Sequence, residues 1–180
     1  MTNQANLQFV LDANVFITAH RNYYPFDLCP GFWECLIRHF LGGKLLSIDK
    51  VRDELLDTSK SEDEEPDALY SWAKDSPEGL FASSSDQAVV NAFGDVIAWV
   101  RHHPQFSRGA KDDFARKADG WLVAYAKAFD LTIVTQEVSN PDIKSRVPIP
   151  NVCNHFNVDY LNTFDMLRQL DIRFELASSP

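Results

Sequence analysis

Four acidic residues, Asp12, Glu54, Asp119 and Glu137, stand where strands end or where helices turn an apolar side inward. Asp12 closes the apolar run Phe9-Val10-Leu11. A carboxylate at the end of a buried strand is costly unless a cation, a proton or a donor compensates it. Asp119 precedes Leu122 by three, Val123 by four and Ala126 by seven, which puts it on the same helical face as that apolar stripe. Glu54 follows Val51 by three and leans the same way, and Glu137 lies just past the apolar run Leu131 to Val134.

If such groups converge within about 4–6 Å, each pair repels by roughly 1 kcal/mol in water-like surroundings and by about 4 kcal/mol at a dielectric of about 20. Either some of them take up protons or a hard divalent cation enters. With no inward His or Cys beside them, oxygen-only donors favour Mg2+ or Mn2+ over zinc. The chemistry that suits such a site is phosphodiester hydrolysis, in which the ion lowers the pKa of a water and stabilises the oxygen that leaves. Taken singly, each acid also has a plainer role: Asp12 as a turn cap, Asp119 as a satisfied helix residue, Glu54 and Glu137 as surface charge. Their joint placement favours the cleft.

The elements that must position these acids follow from the hydrophobic pattern. Phe9 to Leu11 reads as a strand buried on both faces, the kind found in parallel sheets covered by helices. After a loop from Asn22 to Pro30, Trp33, Leu36, Ile37 and Phe40 recur at helical spacing, and Gly42-Gly43 tolerates a left-handed helix end. Lys44 to Ile48 is a second strand, and Val51, Leu55 and Leu56 mark a short helix. Ser59 to Pro66 is too polar to pack and reads as a solvated loop. A brief helix around Leu69, Trp72 and Ala73 is followed by a loop from Ser76 to Ser85. A stronger helix begins near Ser85 and carries Val89, Phe93, Val96, Ile97 and Val100. The chain is expected to turn between His102 and Lys111, to form one helix from Asp113 to Phe129, and to form a strand from Thr132 to Thr135. Pro141, Pro148 and Pro150 predict an extended segment, with Val152-Cys153 a last short strand and Phe164, Leu167 and Leu170 a closing helix. Strands alternating with helices predict an α/β sandwich with a mainly parallel sheet, one domain over residues 1–180, and ligands bound beyond the carboxyl ends of the strands.

On these residues the chain resembles the PIN-domain ribonucleases. Leu11-Asp12-Ala13-Asn14-Val15-Phe16-Ile17 is similar to their opening, Val51-Arg52-Asp53-Glu54-Leu55 to their second acidic motif, and Ala118-Asp119-Gly120-Trp121-Leu122 to their third. Leu131 to Glu137 resembles their fourth strand, with Glu137 standing where an Asp is more usual. The resemblance implies a three-layer α/β/α sandwich and a metal-dependent endoribonuclease, often the toxin of a bacterial toxin–antitoxin pair, releasing products with a 5′ phosphate and a 3′ hydroxyl. It also implies that Asp12, Glu54 and Asp119 hold the metal, with Glu137 joining directly or through water. Asn14 and Thr135 are expected to orient a carboxylate or a water, although ordinary turn hydrogen bonding would use the same residues. Asp49 and Asp113 rank below these four.

RNA must also be gripped. Arg101, Arg108, Lys111, Arg116 and Lys117, with His102 and His103, make the strongly basic segment of an otherwise acidic chain whose net charge is -9. A solvated helix flank balanced by Asp112 and Asp113 explains the same residues equally well. His20 and Arg21 form a second, weaker basic group.

Rival chemistries fit less well. A haloacid-dehalogenase-type phosphatase wants a second Asp two residues after the first, where this chain has Asn14, and the glycine-rich phosphate loop of a nucleotide-binding fold is absent. A catalytically inactive module of the same fold, binding RNA or a protein, is the remaining alternative. Cys29, Cys35 and Cys153 form no Cys-x-x-Cys and are expected to be reduced. No apolar stretch is long enough to span a bilayer, and the polar start Thr2-Asn3-Gln4-Ala5-Asn6 lacks the pattern of a secretory signal, so a cytoplasmic protein is expected. The expected partners are RNA and an antitoxin of the helix-turn-helix regulator type, with a homodimer left open.

Overall fold

The computed structural model describes residues 8–57 and 67–175. The polar start and the charged stretch Ser59 to Pro66 lie outside the described residues. β1 (Phe9–Leu11) sits at the centre of a five-stranded sheet ordered β3-β2-β1-β4-β5, with β2 spanning Leu45–Ile48, β3 Phe81–Ala82, β4 Thr132–Val134 and β5 Tyr160–Leu161. All four pairings are parallel. Successive strand residues point to opposite faces, and Phe9, Val10 and Leu11 are all fully buried, so helices must cover both sides of the sheet. This is the three-layer sandwich.

The chain runs outward from β1 through β2 to β3, then returns to place β4 on the other side of β1. The order therefore reverses between β1 and β4, and a crevice opens beyond their carboxyl ends. The register pairs Leu11 with Val134, which sets Asp12 beside Thr135 at the crevice mouth, with the Asp12 amide donating to the Val134 carbonyl at 3.0 Å.

Helices α1 (Ala13–Thr18) and α2 (Pro30–Leu41) link β1 to β2, with a π-helical turn Ala19–Tyr23 extending α1. Gly43 (φ 68°) closes α2, where the Lys44 amide reaches back to the His39 carbonyl at 2.9 Å. α3 (Asp49–Asp57) and α4 (Ala68–Asp75) lead to β3, and α5 (Gln87–His102), α6 (Arg108–Arg116) and α7 (Ala118–Phe129) lead to β4. Gly120 lets α7 lie close on α5, since a Cβ there would stand 3.1 Å from the Phe93 ring and 3.2 Å from Phe114.

Several expectations are corrected. The single helix over Asp113–Phe129 is two, because Lys117 adopts an extended backbone (φ -86°, ψ 171°) that ends α6 and starts α7. The expected turn before Lys111 is already helical from Arg108, with the Ser107 hydroxyl accepting from the Ala110 amide. Val152-Cys153 is not a strand. It lies within α8 (Ile149–Phe156), where Pro150 falls in the first turn and costs no helical hydrogen bond. Two strands of two residues each, β3 inside the expected loop and β5 ahead of α9 (Thr163–Gln169), complete the sheet edges. Among the described residues no helix is long and apolar enough to cross a membrane.

Candidate active site

The floor of the crevice is a hydrogen-bonded knot joining the ends of β1 and β4. Thr135 Oγ1 donates to Asp12 Oδ2 at 2.8 Å and accepts from Asn14 Nδ2 and from the Glu137 amide, each at 3.1 Å. Asn14 Oδ1 accepts the Gln136 amide at 2.9 Å, so one side chain ties both segments together. Beneath them the buried Ser47 hydroxyl donates to the Leu11 carbonyl at 2.6 Å. Asp12 is only 4% exposed.

Burial raises the Asp12 carboxyl well above the ordinary carboxylate range, and the charges of Asp119, Glu137 and Glu54 raise it further, while the Thr135 bond lowers it. Asp119, in the first turn of α7, is pushed from 3.8 up to about 7 by burial and by Glu137 and Glu54, with Lys117 acting in the opposite direction. Glu54 on α3 is raised by burial and lowered by Lys117. Carboxyls from β1, α3, α7 and the segment after β4 thus lie within electrostatic reach of one another.

Glu137 is committed to the protein on both oxygens. Arg146 holds Oε1 at 2.9 Å, and the Ile149 amide at the start of α8 donates to Oε2 at 2.7 Å. Asp119, Glu137, Asp113, Lys117 and Arg146 all line one cavity of about 90 Å³. A larger cavity of about 570 Å³ is lined by Glu54, Lys117, Lys50, Arg116 and Trp121, among others.

The basic segment separates. Arg116 and Lys117 reach these cavities, although Arg116 also pairs with Asp113 at 2.5 Å. Lys111 instead donates to the Arg101 carbonyl at 2.9 Å, and Arg108 pairs weakly with Asp112 at 3.9 Å. Arg101, Arg108 and Lys111 line neither cavity. His20 lies in the π-helical turn with its ring 5.4 Å from that of Phe26. Asp49 accepts the Lys50 and Ser84 amides, which accounts for it structurally. Asp113 stands nearer the acids than its position in the sequence suggests.

Arg146 and Lys50 escaped sequence reasoning. Arg146 lies in a proline-punctuated stretch with no periodicity, and its one signal was a cation, with Lys144, shortly after Glu137. Cys153, expected only to be a reduced thiol, is buried where the charges of the acids reach it. Burial, with minor help from Glu137 and Asp12, pushes its thiol up to about 12, so it stays protonated and is a poor metal donor.

The donors suit a hard cation in kind, being carboxylate oxygens whose charges oppose one another. Among the described residues no three His, Cys, Asp or Glu side chains are arranged to hold an ion unaided.

Residues 9–174 match the family described as Domain of unknown function (DUF4411). No curated protein matches the chain. In fold the chain is similar to the crystal structure of FitAcB from Neisseria gonorrhoeae, with a TM-score of 0.52 at 16% identity, covering 87% of this chain and 98% of that one. At that identity the likeness speaks for the fold alone, which is PIN-like.

Proposed function

The chain belongs to the DUF4411 family, and from its acidic crevice we propose that it is a metal-dependent endoribonuclease. One observation carries the reading: four acids from separate elements act on one another, the charges of Asp119, Glu137 and Glu54 raising the buried Asp12 carboxyl and those of Glu137 and Glu54 raising Asp119. A hard dication held by Asp12, Asp119 and Glu54 would supply an activated water and offset charge on the leaving oxygen.

The chain's own residues supply the rest. Asp119, titrating near neutrality, can hold or accept a proton at its carboxyl. Thr135 and Asn14 fix the Asp12 carboxylate in one orientation. Lys117 and Arg146, facing the acids across the small cavity, are placed to meet phosphate oxygens. Glu137 is better suited to anchoring Arg146 and α8 than to direct ligation, since both its oxygens are engaged.

The PIN-like resemblance extends the proposal to the toxin of a toxin–antitoxin pair acting in the cytoplasm, with a helix-turn-helix regulator as antitoxin. A second reading is an inactive PIN-like module of the same fold that binds RNA or protein. The two separate on incubation of the purified protein with structured and unstructured RNA in Mg2+ or Mn2+. Cleavage abolished by chelator and by Asp12→Asn supports the enzyme. Cutting that survives both treatments rejects this site, and binding without cutting supports the module.

A further inference from the structure

We infer that the larger cavity beside the acids is a stacking subsite for one unpaired nucleotide, with Trp121 as its platform. This rests on reading the crevice as an RNA site and adds which form of RNA it accepts. Trp121 lies on α7 two residues beyond Asp119, and its ring is stacked on Phe93 with centroids 3.8 Å apart and planes 6° from parallel. One face is therefore backed rigidly by the core side of α5. The Lys50 ammonium lies over the ring, 5.8 Å from its centroid, a weak contact.

A flexible lysine over a partly exposed indole is readily displaced by a flat base, and its charge can then turn to a phosphate. Arg116 and Lys117 also line this cavity, and Asp53, in the same lining, offers an acceptor to the amino or imino group of a base edge. Continuity with the acids is direct. Lys117 lines both cavities, and Glu54, in the wall of the larger one, acts by its charge on Asp119. A strand whose base rests on Trp121 would thus run its backbone past Lys117 toward the acids. A duplex, whose bases are already stacked on each other, cannot use the platform.

The test measures anisotropy of a labelled, unstructured oligoribonucleotide of mixed A and C, and of its duplex, in chelator so that nothing is cut. The full chain is compared with Trp121→Leu and Trp121→Phe, each checked for folding by circular dichroism. Trp121→Leu should weaken single-strand binding at least about fivefold, while duplex binding shifts less than about twofold and Trp121→Phe stays within about twofold of the unaltered chain. Should the Leu variant fail to fold, tryptophan fluorescence decides. The oligonucleotide should quench the unaltered chain but not Trp121→Phe, in which Trp33, Trp72 and Trp99 remain.

Equal binding by all three proteins, equal losses for single strand and duplex, quenching that persists in Trp121→Phe, or no single-strand binding at all would each overturn the inference. Cleavage in Mg2+ is scored separately. Trp121-dependent binding without cleavage upholds the subsite and rejects the nuclease, whereas metal-dependent cleavage with Trp121-independent binding does the reverse.

Discussion

Thr135 Oγ1 is a junction: it gives its one proton to Asp12 and takes hydrogen bonds from Asn14 and the Glu137 amide. Thr135→Val keeps the shape but leaves a buried carboxyl and two donors without their partner, so stability should fall by about 1–3 kcal/mol, whereas Thr135→Ser should recover most of it. Urea unfolding of the three proteins checks this, and equal midpoints would deny the junction its role. Asp119 titrates at about 7 against an ordinary 3.8, so the folded protein keeps a proton that the unfolded chain releases. Between those values the native state binds more protons, and the free energy of unfolding declines as pH rises. The benefit is complete below the lower value and gone once pH has passed the upper one. In chelator, stability should therefore drop from about pH 4 to about pH 7, by at most about 4 kcal/mol and by less where water reaches the half-buried group. Asp119→Asn should flatten that decline, and Mg2+ should reverse it in the unaltered protein; a decline unchanged by the substitution would assign it to other groups. Asp12, Asn14, Thr135 and Asp119 were legible because strand ends and helical faces place them without reference to distant chain. Arg146 and Lys50 were not, because their positions depend on how α8 and α3 pack.

α8 depends on a residue that sequence reasoning assigned to metal. Glu137 accepts the Ile149 amide at the helix start, where a negative charge also meets the positive end of the helix dipole, and it fixes Arg146. Glu137→Ala should cost about 1–2 kcal/mol in the presence of chelator, while Asp12→Asn, which can still accept from Thr135, should cost less. Equal losses by denaturant unfolding would return Glu137 to the role of an ordinary cleft acid. The packing of α5 on α7 turns on Gly120, where alanine gains helix propensity of up to about 1 kcal/mol but presses on Phe93 and Phe114. Gly120→Ala should be destabilising on balance by about 1 kcal/mol. Gly94→Ala on α5, which meets nothing within 4 Å, should stabilise by about 0.5–1 kcal/mol. The same physics explains which elements could be read. β1 and α7 announce themselves through a continuous apolar run and a regular stripe. The break at Lys117 has no glycine or proline to mark it, Pro148 and Pro150 read as breakers although one precedes a helix and the other lies in its first turn, and β3 and β5 are too short to show a period.

At the scale of the molecule, a chain with a net charge of -9 is proposed to hold a polyanion, and the distribution of cations decides whether it can. The acidic total was readable from composition, but the grouping of the cations was not: the contiguous basic segment parts in three dimensions, with Lys111 capping α5 and Arg108 facing Asp112. What remains at the cavities is Lys50, Arg116, Lys117 and Arg146, two of them from outside that segment. Each phosphate neutralised on a single strand contributes about -0.7 to the slope of log affinity against log salt, so these cations allow a slope no steeper than about -3. Arg116 and Arg146 already pair with Asp113 and Glu137, which should shift the value toward about -1.5. Titrating an unstructured oligoribonucleotide over a range of KCl in chelator measures it directly, and Lys117→Gln should make the slope shallower by about 0.7. A slope of about -5 would mean that Arg101, Arg108 and Lys111 also grip the strand, placing the RNA path along α5 and α6 rather than across the mouth between β1 and β4.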